Sequence, residues 1–276
     1  MELLEGEIPV RVGWFLWILI CAYAILGVSY AARTPTWQAP DEPAHFNYVR
    51  NIAEGHGLPI LQKGDYDSDY LEKLKAAKFP REMSIDSIRY ESHQPPLYYI
   101  LASPLYLVSR HLPIEGQVLV LRLFSVFMGC LLLLVAYAAA RQVFPQTSLI
   151  SLGVPAFIAL LPQHIAMSAA VNNDTLAELM VSAILLLIVG ELSPSRKRGH
   201  GQTLRSTFLL GLLLGLALLT KATAYTSLVL IPAGLWLASG SRPDKADWGL
   251  GKRFLLIGAV AAVVAGWWFV RNIFVY

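Results

Sequence analysis

Residues 117–140 read QVLVLRLFSVFMGCLLLLVAYAAA, an apolar run of the length that a membrane-spanning helix needs. A helix rises about 1.5 Å per residue, so about 20 apolar residues cross the roughly 30 Å hydrocarbon core of a bilayer. Comparable runs lie at 12–32, 147–166, 176–192, 206–223, 225–239 and 254–274. The sequence therefore predicts an all-α, polytopic helical membrane protein with about seven spans.

The composition agrees with this class and excludes several others. Of the 276 residues, 55% are hydrophobic and 15% are charged, whereas soluble domains carry about 25% charged residues. Cys21 and Cys130, the only cysteines, both lie in apolar runs, so neither a disulfide scaffold nor a cysteine metal site is expected. The net charge is only +3 and no basic stripe alternates with aromatic residues, so nucleic acid is not an expected partner.

The charges of the short connections predict the orientation. Cytoplasmic loops collect Lys and Arg, and alternate connections here hold Arg141, then Arg196, Lys197, Arg198 and Arg205, then Arg242, Lys245, Lys252 and Arg253. The first span follows Glu2, Glu5 and Glu7 instead of the basic stretch of a signal peptide, so we expect an uncleaved anchor. The N-terminus is then cytoplasmic, and residues 33–116 lie outside.

The outer segment 33–116 is predicted to carry two surface helices. One begins after Asp41 and repeats apolar residues at helical spacing until Gly55 and Gly57, which can end it. The other follows Pro95 and Pro96 and is too short to span a membrane. Residues 61–92 between them are expected to form a surface loop. The chain 1–276 is thus interpreted as one membrane module, with the remaining spans in 117–276.

Polar residues gather at the outer ends of these spans, where we expect them to line one outward-facing cavity. Ionisable groups beside spans are costly unless they are paired or hydrated, and they mark functional sites by default. The candidates are Asp41, Glu42, His45, His93, Asn173, Asp174, Lys221 and Arg271. Glu178 lies one turn further into its span.

Each candidate also has a structural interpretation. Asp41 is suited to act as a general base or, with His45, to bind a divalent cation if one is present, but it could equally cap the first surface helix, with Glu42 complementing the helix dipole. Asn173 and Asp174 are suited to capping a span. His93, Lys221 and Arg271 can bind a phosphate, but His93 can equally belong to an interfacial anchor, and Lys221 and Arg271 can reach the interface from span ends.

Five short strings resemble one family in the same order. They are DEPAHF at 41–46, HQPPLYY at 93–99, NDTL at 173–176, LTK at 219–221 and WWFVRN at 267–272. The set resembles the GT-C superfamily of membrane glycosyltransferases, including protein O-mannosyltransferases and family 39-type bacterial proteins related to lipid A aminoarabinose transferases. The resemblance implies a GT-C-like bundle that moves a sugar from a polyprenyl-phosphate carrier to a glycan, lipid or protein acceptor on the outer face. It also implies that Asp41 is the catalytic carboxylate with Glu42 beside it.

The chain departs from the family pattern in two ways. Gln94 separates His93 from the two prolines, and Tyr98 and Tyr99 replace the Gly-Lys of the mannosyltransferases. The chain ends at Tyr276, where the family usually continues, so the sequence corresponds either to the core seven-span module alone or to a truncated chain. Two other functions remain open: a transporter or flippase that uses Glu178, and a non-catalytic subunit of a glycan assembly complex.

Overall fold

The computed structural model describes residues 8–192, 200–240 and 249–276, and these residues form helices and connections without any strand. Eleven α-helices follow in chain order within this part of the molecule. They are α1 (Ile8–Arg33), α2 (Glu42–Ala53), α3 (Ser68–Ala76), α4 (Leu97–Ser109), α5 (Ile114–Val143), α6 (Ser148–Ala159), α7 (Pro162–Ser168), α8 (Asp174–Leu192), α9 (His200–Leu218), α10 (Ser227–Gly240) and α11 (Leu250–Val275). Short 3-10 turns occupy Tyr90–His93 and Ala222–Thr226.

Six helical stretches among the described residues are long and apolar enough to cross a membrane. They are Gly13–Arg33, Ile114–Val143, Asp174–Leu192, Gly201–Leu218, Ala222–Ser239 and Leu250–Val275. Each matches a predicted span to within a few residues, so the prediction of a polytopic helical membrane protein is confirmed.

The predicted span at 147–166 is broken instead of straight. Helices α6 and α7 meet at a bend of 62°. Proline explains the break, because its ring forces the preceding residue into an extended conformation: Leu161, with φ −82° and ψ 108°, precedes Pro162 at the start of α7. Taken together the bent pair brings the number of candidate crossings to seven.

The bundle has two ends, which we call the loop end and the far end. The loop end carries residues 33–116, and it is where α8 begins and α9 and α11 finish, since Leu97 N donates to Leu219 O at 2.8 Å and Arg271 binds the carbonyl of Leu58 at 3.1 Å. The far end joins α5 to α6, where Ser151 Oγ donates to Phe144 O at 3.1 Å. The bent pair therefore returns the chain from the far end to the loop end.

Some of the charged residues that predict the orientation lie in the part of the chain that the structure describes, and others lie outside it. Arg141 lies in the last turn of α5, Lys252 and Arg253 lie in the first turn of α11, and Arg205 lies in the second turn of α9, all at the far end. Glu2, Glu5, Glu7, Arg196, Lys197, Arg198, Arg242 and Lys245 lie outside the described residues.

Both helices predicted in the outer segment are present, as α2 and α4, but their environments differ. All residues from Glu42 to Val49 are buried, so α2 is an internal helix of the loop end, covered by α4 and by the 3-10 turn, and not a free surface helix. In contrast, α4 exposes Ile100, Leu101, Leu107 and Val108, as an interfacial helix would. The predicted surface loop 61–92 also contains α3, which Asp67 caps by accepting from Tyr70 N at 2.9 Å.

Candidate functional site

Asp41 stands directly before α2 in an unusual backbone conformation. Its φ of 59° and ψ of 3° are left-handed, a conformation that costs a residue other than glycine roughly 1–2 kcal/mol. Its side chain makes no capping bond to α2, so the interpretation of Asp41 as the side-chain cap is wrong. Instead its Oδ1 accepts from the Tyr90 hydroxyl at 2.7 Å, and the residue is exposed. The strained backbone thus turns a carboxylate away from the helix and towards solvent at the loop end.

Glu42, the next residue, is held in a fully buried ion pair. Its side chain is 0% exposed, and both carboxylate oxygens accept from Arg122, at 2.7 and 2.6 Å. The same oxygens accept from the backbone N–H groups of Trp37 at 3.1 Å and Val171 at 3.2 Å. With its acceptors occupied and no access to solvent, Glu42 is suited to position the start of α2 and not to contact a substrate.

Arg122 makes this pair a junction of three segments. Its remaining N–H groups donate to the carbonyl oxygens of Ala31 at 2.8 Å, Thr34 at 2.6 Å and Pro35 at 3.1 Å. All five donors of the guanidinium are thereby used. The Arg122 guanidinium thus ties together the end of α1, the start of α2 and the first half of α5. Its partner Glu42 directly follows Asp41 in the chain.

His45 lies one turn after Asp41 and is buried, with 3% exposure. Its Nδ1 shares a hydrogen bond of 2.8 Å with the Tyr99 hydroxyl, and Tyr99 stacks on Tyr48 with ring centroids 3.7 Å apart. Burial, with smaller contributions from Lys221 and His93, lowers the pKa of His45 to about 3. His45 is therefore neutral at physiological pH and contributes no positive charge to the site.

The predicted metal pair was tested against the same geometry. Asp41 and His45 each bind a tyrosine hydroxyl, and among the described residues no group of three or more His, Cys, Asp or Glu side chains is arranged to hold a metal ion. The residues present therefore do not fit a metal centre.

The 3-10 turn at Tyr90–His93 brings further polar groups to Asp41. Burial and the neighbouring Asp41 carboxylate raise the pKa of Tyr90, so its hydroxyl remains a proton donor to Asp41. Burial also raises the pKa of Glu91, on which the charges of His93, Asp41 and Lys221 all act. Glu91 Oε2 is buried and has no hydrogen-bond partner in the part of the chain that the structure describes. The exposed His93 ring is fixed by a 2.8 Å bond between its Nδ1 and the carbonyl oxygen of Tyr90.

Lys221 and Asp174 form an ion pair at the same end. Lys221 Nζ lies 2.6 Å from Asp174 Oδ1, and both side chains are partly exposed, at 20% and 37%. Asn173 is buried, and its Nδ2 donates to Thr220 O at 3.0 Å. The cap of α8 falls to Asn172, whose Oδ1 accepts from Asp174 N at 3.1 Å. The start of α8 is thus locked to the end of α9, which places Lys221 within the electrostatic reach of Glu91 and His45.

Arg271 occupies a different part of the loop end. Its Nη2 donates to the carbonyl oxygens of Leu58 at 3.1 Å and Pro59 at 3.0 Å, and its guanidinium lies 5.0 Å from the centre of the Trp268 ring. Within the described residues, no hydrogen bond or ion pair joins Arg271 to Asp41, His93 or Lys221. Arg271 docks the end of α11 onto the loop that follows α2.

A cavity of about 560 Å³ extends from Asp174 into the bundle. Leu132, Ile158, Ala177, Val181 and Ala224 form its apolar walls, and Ser182, Thr223 and Thr226 add hydroxyl groups. Two further lining residues form a pair here, since His164 Nε2 lies 3.0 Å from Glu178 Oε2. The cavity therefore combines apolar walls with the ionisable side chains of Asp174, His164 and Glu178, and Asp174 is paired with Lys221, an arrangement suited to an amphiphilic molecule.

Sequence reasoning missed three residues of this site. Arg122 had a clear signal, because it is the only residue of the Asp, Glu, Lys and Arg types in the run 117–140. Charged residues inside membrane spans mark functional sites by default. Tyr90 and Glu91 had no comparable signal. They lie in a polar connection, and only the path of the chain brings them to Asp41, which stands about fifty positions earlier.

Comparison with known proteins found no matching family model, no matching curated protein and no matching solved structure. The assignment of function therefore rests on the residues and geometry described above.

Proposed function

We propose that this protein is a glycosyltransferase that moves a sugar from a polyprenyl-phosphate carrier to an acceptor at the loop end, which faces outward from a bacterial plasma membrane. The observation that carries the proposal is the exposed Asp41 carboxylate, held in a left-handed conformation and bonded to Tyr90 instead of capping its helix. Strained backbone of this kind clusters at functional sites. The resemblance of five ordered strings to the GT-C superfamily supports the same function.

The orientation in this proposal follows from the described basic residues. Arg141, Arg205, Lys252 and Arg253 lie in or beside short connections at the far end, which we assign to the cytoplasm. The long segment 33–116 then faces outward. A polyprenyl-phosphate carrier that presents its sugar on that side reaches the site by moving within the plane of the membrane.

The proposed chemistry is a single displacement at the anomeric carbon. Asp41, through the oxygen that Tyr90 does not bind, accepts the proton of the acceptor hydroxyl while the acceptor's own oxygen forms a bond to the anomeric carbon. The bond from the anomeric carbon to the phosphate oxygen breaks, and its electron pair leaves with the polyprenyl phosphate. Because attack and departure occur on opposite faces, the anomeric configuration inverts.

Lys221 and His93 stabilise the leaving phosphate in this scheme. Lys221 uses one N–H on Asp174 and retains two for a phosphate oxygen, and His93 exposes the other edge of its ring. The apolar walls of the 560 Å³ cavity accept the first isoprene units of the carrier. Glu42 positions Asp41 through Arg122, and Arg271 holds the loop at 58–59, so we assign neither to direct contact with the donor.

Consumption of defined donors by the purified protein in liposomes tests the proposal. We expect loss of at least one polyprenyl-phosphate sugar with the wild type, and a decrease of about 10²–10⁴-fold with Asp41→Asn, the range typical of a general base. Asp69→Asn, on the exposed α3, is the matched control and should retain full activity. A product with retained anomeric configuration, or undiminished turnover by Asp41→Asn, would contradict the scheme.

A second candidate function has one specific observation in its favour. The His164–Glu178 pair beside a large cavity is an arrangement that proton-coupled transporters use. If the protein is a transporter or flippase, Glu178→Gln abolishes lipid movement across liposomes while Asp41→Asn does not. A non-catalytic subunit would consume no donor, move no lipid and tolerate both substitutions.

A further inference from the structure

A second cavity lies in the loop end, on the opposite face of α2 from His45. It has a volume of about 270 Å³. From α2 it is lined by Asn47, Arg50, Asn51 and Glu54, whose spacings of three, four and seven residues place them on one face of a helix. Asp41, Tyr90 and His93 form what we call the Asp41 cluster. Helix α2 therefore turns one face to the Asp41 cluster and another to this cavity.

The 3-10 turn beside α2 is divided in the same way. Arg89 and Ser92 line the cavity, whereas Tyr90 binds Asp41 and holds His93 on the other side. A 3-10 helix has three residues per turn, so positions i and i+3 share a face. One turn of chain thus forms a wall common to the Asp41 cluster and the cavity.

The lining of this cavity is polar and carries no net formal charge. Two guanidiniums, of Arg50 and Arg89, stand beside two carboxylates, of Asp86 and Glu54. Arg50 is already paired with Asp86, and Glu54 accepts from the Tyr106 hydroxyl at 3.2 Å. A free anion would meet both carboxylates, and an apolar chain would leave the polar groups without partners. Neither is well matched to this lining.

Asn47 supplies an independent sign that a ligand belongs here. Its side chain is 4% exposed, and its Nδ2 donates to the carbonyl oxygens of Ile85 at 2.7 Å and Ile88 at 2.8 Å, which identifies the other amide atom as oxygen. That Oδ1 is buried and has no partner within the described residues. Buried polar atoms are rarely left unpaired, so a hydrogen-bond donor such as a ligand hydroxyl is expected at this atom.

We propose that this cavity is an acceptor subsite that binds a neutral, hydroxyl-rich saccharide. Amide and carboxylate oxygens accept from sugar hydroxyls, and guanidinium and hydroxyl groups donate to sugar oxygens. The volume of about 270 Å³ is just below the roughly 300–1,000 Å³ typical of ligand pockets, which suits about one sugar ring. The word acceptor rests on the proposed glycosyltransferase function, whereas the binding of a saccharide does not.

Binding of methyl glycosides of glucose, galactose and mannose to the full-length protein in nanodiscs tests the proposal, with glucuronate and inorganic phosphate measured beside them. We expect at least one neutral glycoside to bind saturably by ligand-observed NMR. Arg89→Gln and Glu54→Gln, both at exposed positions, should each raise its Kd about tenfold. Arg81→Gln, an exposed arginine of the same segment that does not line the cavity, is the control and should leave the Kd unchanged.

The outcomes that overturn the proposal are distinct from those that overturn the proposed function. The cavity assignment fails if no neutral glycoside binds, if phosphate or glucuronate binds in preference, or if Asp41→Asn abolishes binding while the two cavity variants do not. A protein that consumes donor but binds no glycoside refutes the subsite alone. A protein that binds glycosides through Arg89 and Glu54 but consumes no donor refutes the glycosyltransferase function and leaves the saccharide site standing.

Discussion

Removal of Arg122 should destabilise the protein more than removal of any surface cation. The Glu42 and Arg122 side chains are 0% and 3% exposed, and the carboxylate receives two of its four hydrogen bonds from the guanidinium. Arg122→Met leaves a buried carboxylate with two backbone donors and no cation. Breaking a buried pair in this way costs about 3–5 kcal/mol of unfolding free energy.

The matched control is an exposed pair of the same residue types. Arg81 and Glu115 form an ion pair with side-chain exposures of 82% and 44%, and such pairs contribute at most about 1 kcal/mol. The free energies of unfolding of Arg122→Met and Arg81→Met can be compared by denaturant titration of the purified proteins in mixed micelles. We expect the free energy of unfolding to fall at least twice as far in Arg122→Met as in Arg81→Met.

A double variant separates the charge from the packing. In Glu42→Gln with Arg122→Met no buried charge remains, and the glutamine oxygen still accepts from the N–H groups of Trp37 or Val171. The double variant should therefore be more stable than Arg122→Met alone. Equal losses for Arg122→Met and Arg81→Met, or a double variant less stable than the single one, would refute the reasoning that Glu42 is a buried positioning residue.

Three further predictions concern other parts of the structure. A Cβ at Gly211 would lie 2.9 Å from the carbonyl oxygen of Ile257, so Gly211→Ala should force α9 from α11 and cost about 1–3 kcal/mol; Gly258→Ala, with no neighbour within 4 Å, is its control in the same titration. Because the folded state holds the pKa of His45 at about 3, below the usual 6.5, this residue stabilises the fold above pH 6.5, and that contribution falls by up to about 1.4 kcal/mol per pH unit as the pH drops towards 3. His45→Gln should flatten this part of the stability profile; an unchanged slope would contradict the assignment. Finally, Lys221→Met should reduce donor turnover without unfolding the protein, and a fully active variant would remove Lys221 from the phosphate site.

Part of the candidate site was predictable because its residues lie in recognisable local contexts. Asp41, His93, Asp174 and Lys221 all stand next to prolines, span ends or apolar runs, and the predicted alternation of spans was sufficient to place them at one end of the bundle. Their mutual arrangement was not predictable. The sequence predicted that Glu42 acts beside Asp41. In the structure the Asp41 carboxylate is exposed, whereas the neighbouring Glu42 carboxylate is fully buried.

What the amino-acid sequence by itself determined is the class of fold and the approximate positions and order of the membrane spans. Burial of apolar side chains in lipid depends on run length and composition, which are local properties, and six of the seven predicted spans appear as single helical stretches for that reason. Only the tertiary structure decided the bend at Pro162, the pairing of Glu42 with Arg122 eighty positions away and the choice of Tyr90 as the partner of Asp41. These depend on which helices pack together, because a polar group buried by that packing must find its partner wherever the chain brings one within hydrogen-bonding distance.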